Sequence, residues 1–248
     1  MTAIILAAGY ATRLYPLTID KPKALLKIGK KTILDYLLAE IDACGIIDNC
    51  YIITNAKFFN VLSAWAEDIK NNYKNIKINV LNDGTSSNET RLGAIGDVAY
   101  VIKQTGIDDD CLIAASDNLC NFSLSGFFET FKETGINTVV ACRLYDINEL
   151  RRFAVLKTDE HGIITDLKEK PENPEGNLAA CAIYAYKKET VRLINTYLKE
   201  GGNQDAPGYF LQWIYSKKPV KVWEGGKCVD IGTVATYEQA VKDWADKQ

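Results

Sequence analysis

The sequence predicts an α/β fold, built as a doubly wound and mostly parallel sheet with an inserted antiparallel portion. Over residues 1–145, short apolar runs typical of buried strands alternate with amphipathic stretches of helical period. This alternation favours a parallel sheet covered by helices on both faces. Beyond residue 145, two strand-like runs follow each other across a short polar turn, which is typical of antiparallel pairing.

The first half of the chain supplies the parallel portion. A helix is predicted to begin at Thr32, where Asp35 three residues later completes a near capping box, and to end at Gly45. Its apolar residues recur on one face, as expected for a helix packed on a sheet. Further helices are predicted over residues 59–70, 92–104 and 125–134, and strands over residues 3–6, 50–54, 76–81, 111–115 and 137–142.

The second half contains the inserted portion and the end of the domain. A hairpin is predicted from residues 153–157 and 163–168, joined by a turn that ends in Gly162. Strands follow at 179–186 and 220–223, and helices at 189–200, 207–216 and 236–245. No internal repeat or linker interrupts the pattern, so we expect one Rossmann-like domain over residues 1–248.

Composition excludes several classes of function. A net charge of −3 gives no positive surface for nucleic acid, and no apolar run approaches the roughly 20 residues of a membrane helix. The seven cysteines include no C-x-x-C pair and several lie in apolar strands, so we expect free thiols and a cytoplasmic location. The single histidine, His161, lies in a polar turn, which disfavours Ser-His-Asp chemistry.

The strongest motif follows the first strand. Small residues and Gly9 allow backbone N–H groups to approach a phosphate chain, while Arg13 and Lys23 supply positive charge. The residue types alone leave a second interpretation open: a tight turn with two solvent-exposed basic side chains. The segment is neither a P-loop nor G-x-G-x-x-G, and the missing G-x-G-x-x-G disfavours a redox dinucleotide enzyme.

Three acidic elements occur later in the chain. Asp117 directly follows the buried strand 111–115, at the edge where open α/β sheets bind ligands. Asp230 precedes Gly232 and the last helix, and the pair Glu169-Lys170 leaves the predicted hairpin. By residue chemistry alone, each is equally consistent with a turn, a helix cap or a solvated hairpin end.

These motifs in this order resemble the sugar-1-phosphate nucleotidyltransferase family. The resemblance spans Ile4 to Thr233 and includes the runs L-A-A-G-Y-A-T-R-L-Y-P-L-T, K-P-K, S-D-N, R-F-A, E-K-P and D-I-G-T. It implies that the first loop holds a nucleoside triphosphate and that Arg13 and Lys23 stabilise the transferred and departing phosphates. It also implies that Asp117 and Asp230 bind Mg²⁺ and that Glu169 and Lys170 bind the sugar phosphate.

The resemblance assigns residues to four groups. Catalysis is expected from Arg13 and Lys23, and the metal from Asp117 and Asp230. Substrate binding is expected from Ala154, Glu169, Lys170 and Ala180. Nucleotide binding is expected from Leu6, Ala7, Gly9, Thr12, Arg13, Asn82 and Asp117.

The chain departs from the family pattern at several glycines. Ala8, Ser116 and Ala154 each replace a glycine, the last one beside the expected sugar. Ala11 replaces the second glycine of the loop, which argues against a positive φ at that position. Arg13 therefore supports the interpretation of the loop more than its glycines do.

The expected reaction is Mg²⁺-dependent transfer of a nucleotidyl group from a nucleoside triphosphate, expected to be a pyrimidine nucleotide, to a sugar 1-phosphate, with release of pyrophosphate. Residues 1–145 would mainly bind the nucleotide and residues 146–235 the sugar phosphate. From the length of 248 residues we expect no second, acyltransferase domain. Two alternatives remain: a cytidylyltransferase for a non-sugar phosphate such as phosphocholine, and a nucleotide-binding module without catalysis.

Overall fold

A mixed sheet forms the centre of the protein, whose computed structural model describes residues 1–244. Its strands and two short two-stranded ladders are β1 (Thr2–Leu6), β2 (Lys27–Ile28), β3 (Lys31–Thr32), β4 (Asn49–Thr54), β5 (Lys77–Asn82), β6 (Cys111–Ala115), β7 (Asn118–Cys120), β8 (Asn137–Arg143), β9 (Ala154–Thr158), β10 (Ile164–Glu169), β11 (Leu178–Tyr186), β12 (Val220–Glu224) and β13 (Cys228–Asp230).

Helices cover both faces of the main sheet. They are α1 (Ile33–Ala43), α2 (Phe59–Ile69), α3 (Ala94–Thr105), α4 (Ser125–Thr134), α5 (Ile147–Leu150), α6 (Lys188–Arg192), α7 (Ile194–Lys199), α8 (Pro207–Ile214) and α9 (Val234–Asp243). Within residues 1–244, none of them combines the length and apolarity needed to cross a membrane.

The α/β prediction is confirmed, and the sheet contains a larger antiparallel portion than the sequence indicates. The parallel part runs in the order β5-β4-β1-β6. Antiparallel β11 then pairs with β6, β8 and β9, and β10 extends β9 as the predicted hairpin. Because β8 and β12 are parallel to each other, the inserted part is itself mixed.

Buried core side chains lie on both faces of the main sheet, and successive side chains of β1 point to opposite faces. Ala3 and Ile5 pack into one fully buried cluster with residues of α1, α2 and α4. Ile4 points the other way, into a cluster formed by α3, α7, α8 and the inserted strands. The two-residue period of a strand therefore explains why this run is apolar throughout.

Most predicted elements are present, with shifts at their ends. The capping box at Thr32 is formed, with Asp35 N donating to the threonine hydroxyl over 3.1 Å. The helix predicted over residues 189–200 is divided at Leu193 into α6 and α7. Thr233 caps α9, so this helix begins before the predicted residue 236, and Ala245 lies outside the described residues.

Two short strands that were not predicted from the sequence, β7 and β13, bring two parts of the candidate site together. Strand β7 leaves β6 after a turn at Ser116 and Asp117, and it pairs antiparallel with β13. In this register Asp230 lies opposite Asn118, and Ile231 N donates to the Asp117 carbonyl over 3.1 Å. Three-residue strands have too few residues to show periodicity, which is why only the structure identifies them.

Ala11 has a positive φ, contrary to the expectation from sequence. Its φ is 49° and ψ 40°, in the left-handed region, immediately before a 3-10 turn over Thr12–Leu14. The buried Thr18 hydroxyl donates to the Ala11 carbonyl over 2.8 Å, and Leu14 N donates to the same oxygen. The loop conformation is thus retained by local hydrogen bonds although alanine is strained there.

We expect Ala11→Gly to stabilise the protein by about 1 kcal/mol, because glycine adopts positive φ without the clash of a Cβ atom. Urea unfolding monitored by tryptophan fluorescence would measure the change. Ala64→Gly, at an exposed position inside α2, is the control and should destabilise by about 1 kcal/mol. Equal destabilisation in both variants would contradict strain at Ala11.

Candidate active site

Two adjacent cavities open where the carboxyl ends of β1 and β6 meet the inserted strands. The first cavity has a volume of about 480 Å³ and is lined by the loop after β1, by Lys23 and by residues at the start of α3. The second cavity, about 390 Å³, lies between β9, β11, the start of α8 and Asp230. Arg13, Asp117 and Lys170 line both cavities, so charged groups occupy their junction.

The structure brings together nearly all the residues singled out from sequence. Leu6, Ala7, Gly9, Thr12 and Lys23 line the first cavity together with Arg13 and Asp117. The four expected substrate residues, Ala154, Glu169, Lys170 and Ala180, line the second cavity together with Asp230.

Asn82 lies apart from this group. It ends β5, and its side-chain oxygen accepts a hydrogen bond from Gly84 N over 2.8 Å. It is absent from the described lining of both cavities. The neighbouring part of the same polar segment does reach the first cavity, through Asn88, Arg91 and Gly93.

Asp117 and Asp230 form a pair of acidic groups at the junction, and each is paired with a basic side chain. Lys23 contacts Asp117 and Arg152 contacts Asp230 in ion pairs. Burial acts to raise the pKa of Asp117, but the Lys23 ammonium and its hydrogen bond outweigh burial and the pKa is lowered. Burial, followed by the Asp117 charge, raises the pKa of Asp230 to about 6 although Lys23 and Arg152 oppose it.

The donor set of this pair fits Mg²⁺. It offers carboxylate oxygens only, and Mg²⁺ is commonly held by one or two carboxylates plus substrate phosphates and water. Residues 1–244 include no group of three or more potential ligand side chains. The Asp117 charge raises the pKa of Asp230, and this repulsion is what a cation at this place would offset.

Glu169 ends β10 in a nearly closed environment, with 5% of its side chain exposed. Gly208, in the first turn of α8, lies directly against its carboxylate, where any Cβ atom would overlap it. Burial raises the pKa of Glu169 to about 7, with Lys170 opposing and Asp205 reinforcing the rise. A glycine at the start of this helix is therefore a packing requirement of the second cavity.

Lys170 is the second strained residue at the site. Its φ is 46°, and its backbone N–H donates to the Phe153 carbonyl over 3.0 Å. Its ammonium lies 3.9 Å from Asp205 and 4.0 Å from Glu169. A positive φ at a non-glycine residue turns the side chain out of the strand direction, toward the junction of the cavities.

Several lining residues were not predicted as site residues. Arg152 pairs with Asp230, and Gly232 lies so close that a Cβ atom there would meet the Arg152 guanidinium at 2.5 Å. Arg91 forms an ion pair of 2.9 Å with Asp205, which joins the segment before α3 to the segment before α8. These segments are far apart in sequence. Arg152 begins the quoted R-F-A run, which could have signalled it, whereas no quoted motif includes Arg91.

Known proteins resemble this chain in sequence. A putative mannose-1-phosphate guanyltransferase of Sulfolobus acidocaldarius is 30% identical over 197 residues, covering 79% of this chain and 51% of the relative. The bifunctional protein GlmU of Methanocaldococcus jannaschii is 28% identical over 249 residues, covering 100% of this chain and 55% of the relative. The chain thus spans about half the length of these two relatives.

The fold is shared with solved structures of lower identity. A UDP-glucose pyrophosphorylase complexed with UDP-glucose superimposes with a TM-score of 0.81 at 18% identity, covering 100% of this chain and 99% of the other. A putative glucose-1-phosphate thymidylyltransferase from Bacillus anthracis gives a TM-score of 0.80 at 20% identity, covering 99% and 96%.

Fold and site define an α/β protein with two cavities that meet at a junction of charged groups. The family model for nucleotidyl transferases matches residues 2–247, nearly the whole chain. The chain belongs to the nucleotidyl transferase family, and the predicted family and enzyme class are confirmed. The roles of individual residues, and the division at residue 145, stay predictions.

Glu169→Gln should stabilise the protein increasingly as pH rises. The ordinary pKa of 4.5 is raised to about 7 in the fold, so the folded state binds more protons than the unfolded state between these values. Wild-type stability from this group is therefore lost as pH rises from about 4.5 to 7, and glutamine removes that loss. Urea unfolding across this range would measure the difference.

Glu160→Gln is the matched control, since the Glu160 side chain is 88% exposed. The stability difference should be small and should change little with pH at this position. An equal pH dependence for both variants would contradict the stated cause at Glu169.

Proposed function

We propose that the protein transfers a nucleotidyl group from a pyrimidine nucleoside triphosphate to a sugar 1-phosphate, with Mg²⁺, and releases pyrophosphate. The first cavity would bind the triphosphate and the second the sugar phosphate. The observation that carries this proposal is the junction of the two cavities at Arg13, Asp117 and Lys170. Two separate cavities that share cationic residues suit two anionic substrates whose phosphates must meet.

The reaction needs no protein nucleophile, because the acceptor phosphate is itself the attacking group. An oxygen of the acceptor phosphate attacks the α-phosphorus, forming a new P–O bond. The bond from the α-phosphorus to the oxygen that bridges to the β-phosphate breaks, and its electrons leave with pyrophosphate. Catalysis of this kind depends on positioning and on charge stabilisation, because no side chain needs to form a covalent bond.

Arg13 is suited to stabilise the transferred phosphate. Within residues 1–244 it takes part in none of the ion pairs, and it lines both cavities. A guanidinium without a carboxylate partner is available to phosphate oxygens. Lys23, by contrast, contacts Asp117, so it both supplies charge and orients that carboxylate.

Asp117 and Asp230 would hold the Mg²⁺ ion, and the ion would offset negative charge on the phosphates. Arg152 keeps Asp230 paired, and Asn118 adds a buried side-chain nitrogen that lacks a hydrogen-bond partner among the described residues. Asn118 lines the second cavity, so this nitrogen is a free donor for an acceptor substrate.

A sugar phosphate suits the second cavity because it carries both hydroxyl groups and a phosphate, and the cavity has a residue suited to bind each. Glu169 can accept hydrogen bonds from hydroxyl groups, and Lys170 can bind a phosphate. The pyrimidine preference is supported by the relative from Haloferax volcanii, a UTP–glucose-1-phosphate uridylyltransferase that is 26% identical over 186 residues, covering 75% of this chain and 72% of the relative. We also propose a cytoplasmic location, where the seven free thiols remain reduced.

The direct test is pyrophosphate release from a matrix of substrates with Mg²⁺. The donors are UTP, dTTP, CTP, GTP and ATP, and the acceptors are glucose 1-phosphate, its isomers and phosphocholine. We expect turnover with a sugar 1-phosphate and a pyrimidine triphosphate. Turnover with phosphocholine alone would replace the acceptor class, and nucleotide binding without any turnover would contradict the enzymatic proposal.

Arg13→Ala should lower kcat about 10²- to 10³-fold, the typical effect of removing one group that stabilises a developing charge. Because Arg13 is exposed, the unfolding midpoint in urea should change little. Arg192→Ala, which breaks a surface ion pair with Asp108, is the control and should keep full activity. Full activity of Arg13→Ala would refute the catalytic role.

Lys170→Ala should raise KM for the sugar phosphate roughly tenfold to a hundredfold, since a hydrogen bond to a charged group contributes about 1.5–3 kcal/mol. KM for the triphosphate should rise less. Lys168→Ala, at an exposed position of β10 two residues earlier, is the control. A larger effect on the triphosphate than on the sugar phosphate would assign Lys170 to the first cavity instead.

A further inference from the structure

Two buried acids, one of which lines the first cavity, are separate from the basic residues assigned to phosphate binding. Asp83 follows β5 and is 7% exposed, and Asp97 in the first turns of α3 is 5% exposed. Asp97 lines the first cavity. Neither residue has a role in the transfer reaction proposed above, and buried carboxyl groups without a cation need a specific explanation.

The hydrogen bonding of the two acids is unequal. Asp83 accepts bonds from Thr85, from the backbone N–H over 2.7 Å and from the hydroxyl over 2.8 Å. Asp97 receives no hydrogen bond from a donor within residues 1–244, and its buried Oδ1 is without a partner there. The one polar side chain that interacts with it in this part of the chain is the Asp83 carboxyl group.

A shared proton follows from this contact. Two ionised carboxylates at close range repel each other, so a single proton between them is favoured. Burial, followed by the Asp83 charge, raises the pKa of Asp97 to about 8, which agrees with a protonated Asp97 at neutral pH. When one Asp97 oxygen shares the proton with Asp83, the other oxygen retains only lone pairs and can only accept a hydrogen bond.

The position of Asp97 indicates which part of a nucleotide it would meet. This inference rests on the proposed function, in which the first cavity binds a triphosphate. Arg13, Lys23 and Lys170 lie at the junction end, which suits the phosphates. Asp97 lines the first cavity and is absent from the described lining of the second, and its neighbours Gly93 and Ala94 present backbone and small side chains suited to a flat ring. The nucleobase therefore lies toward Asp97.

We propose that Asp97 selects a nucleobase with an exocyclic amino group next to a ring-nitrogen acceptor, and thus CTP among the pyrimidine donors. Cytosine presents an N–H donor at C4, where uracil and thymine present an oxygen. The Asp97 oxygen that accepts hydrogen bonds would bind the amino group of cytosine. With uracil or thymine the same Asp97 oxygen would face an oxygen of the base, and no proton would lie between the two. Adenine shares the amino edge with cytosine, and guanine has an oxygen at that place.

The expected discrimination is large enough to measure. A matched base contact of this kind typically changes selectivity by roughly ten- to a hundredfold relative to the wrong base. A buried acceptor facing a second acceptor gives an additional penalty, because neither group keeps a partner. We therefore expect kcat/KM for CTP to exceed that for UTP and dTTP by at least about tenfold.

The test compares wild type with two variants of similar side-chain volume. Asp97→Asn keeps one acceptor oxygen and offers an N–H₂ group to Asp83, so it imitates the protonated acid and should keep the CTP-to-UTP ratio. Asp97→Leu removes the acceptor, and the ratio should fall to about one. The ratio of kcat/KM values is measured with one acceptor sugar phosphate, and circular dichroism checks that each variant is folded.

The wild-type ratio decides the inference even if Asp97→Leu does not fold. A preference for UTP, dTTP or GTP over CTP, or an unchanged ratio in folded Asp97→Leu, would overturn it. A preference for ATP over CTP would support the amino-edge selection and contradict the pyrimidine part of the proposed function.

Equilibrium binding separates the two proposals. CTP and UTP are titrated against the protein with Mg²⁺, without an acceptor, and followed by calorimetry. Tighter CTP binding that Asp97→Leu abolishes would support the base selection even if no substrate pair turns over, in which case only the proposed reaction fails. Equal affinity of the wild type for CTP and UTP would overturn the base selection whatever the turnover.

Discussion

The antiparallel pairing of β7 with β13 is the constraint on which the site depends. Asp117 belongs to the turn between β6 and β7, and Asp230 ends β13. The register of these two short strands places the two carboxylates side by side at the junction of both cavities. Without that pairing, Asp230 would be one acidic residue before a helix, and the junction would have neither a second carboxylate nor the Arg152 ion pair.

The acidic groups at this junction form ion pairs with basic side chains, and Arg13 forms no ion pair within residues 1–244. Lys23 pairs with Asp117 and Arg152 with Asp230, so the acids are partly neutralised before any substrate binds. Arg13 is not among the residues of 1–244 that form ion pairs, which leaves its charge for a phosphate. Such preorganised charge needs little rearrangement during a reaction, which is the usual source of electrostatic catalysis.

Backbone strain occurs at the walls of the same cavities. Ala11 and Lys170 are the non-glycine residues with positive φ in the part of the chain that the structure describes. Both line a cavity, and hydrogen bonds hold both in place, through Thr18 for Ala11 and through Phe153 for Lys170. Strained conformations persist where the surroundings determine them, and they are concentrated at functional sites.

The sequence by itself determined the parallel core, the order of the motifs and the family, because period and local chemistry are properties of neighbouring residues. It could not determine the β7–β13 pairing, the closeness of Gly208 to Glu169, or the Asp83–Asp97 contact. Each of these joins residues by packing between distant segments, which leaves no local periodicity. The positive φ of Ala11 was likewise visible only in the folded structure, because it depends on the Thr18 hydroxyl, which is buried in the fold and retains a conformation that alanine alone disfavours.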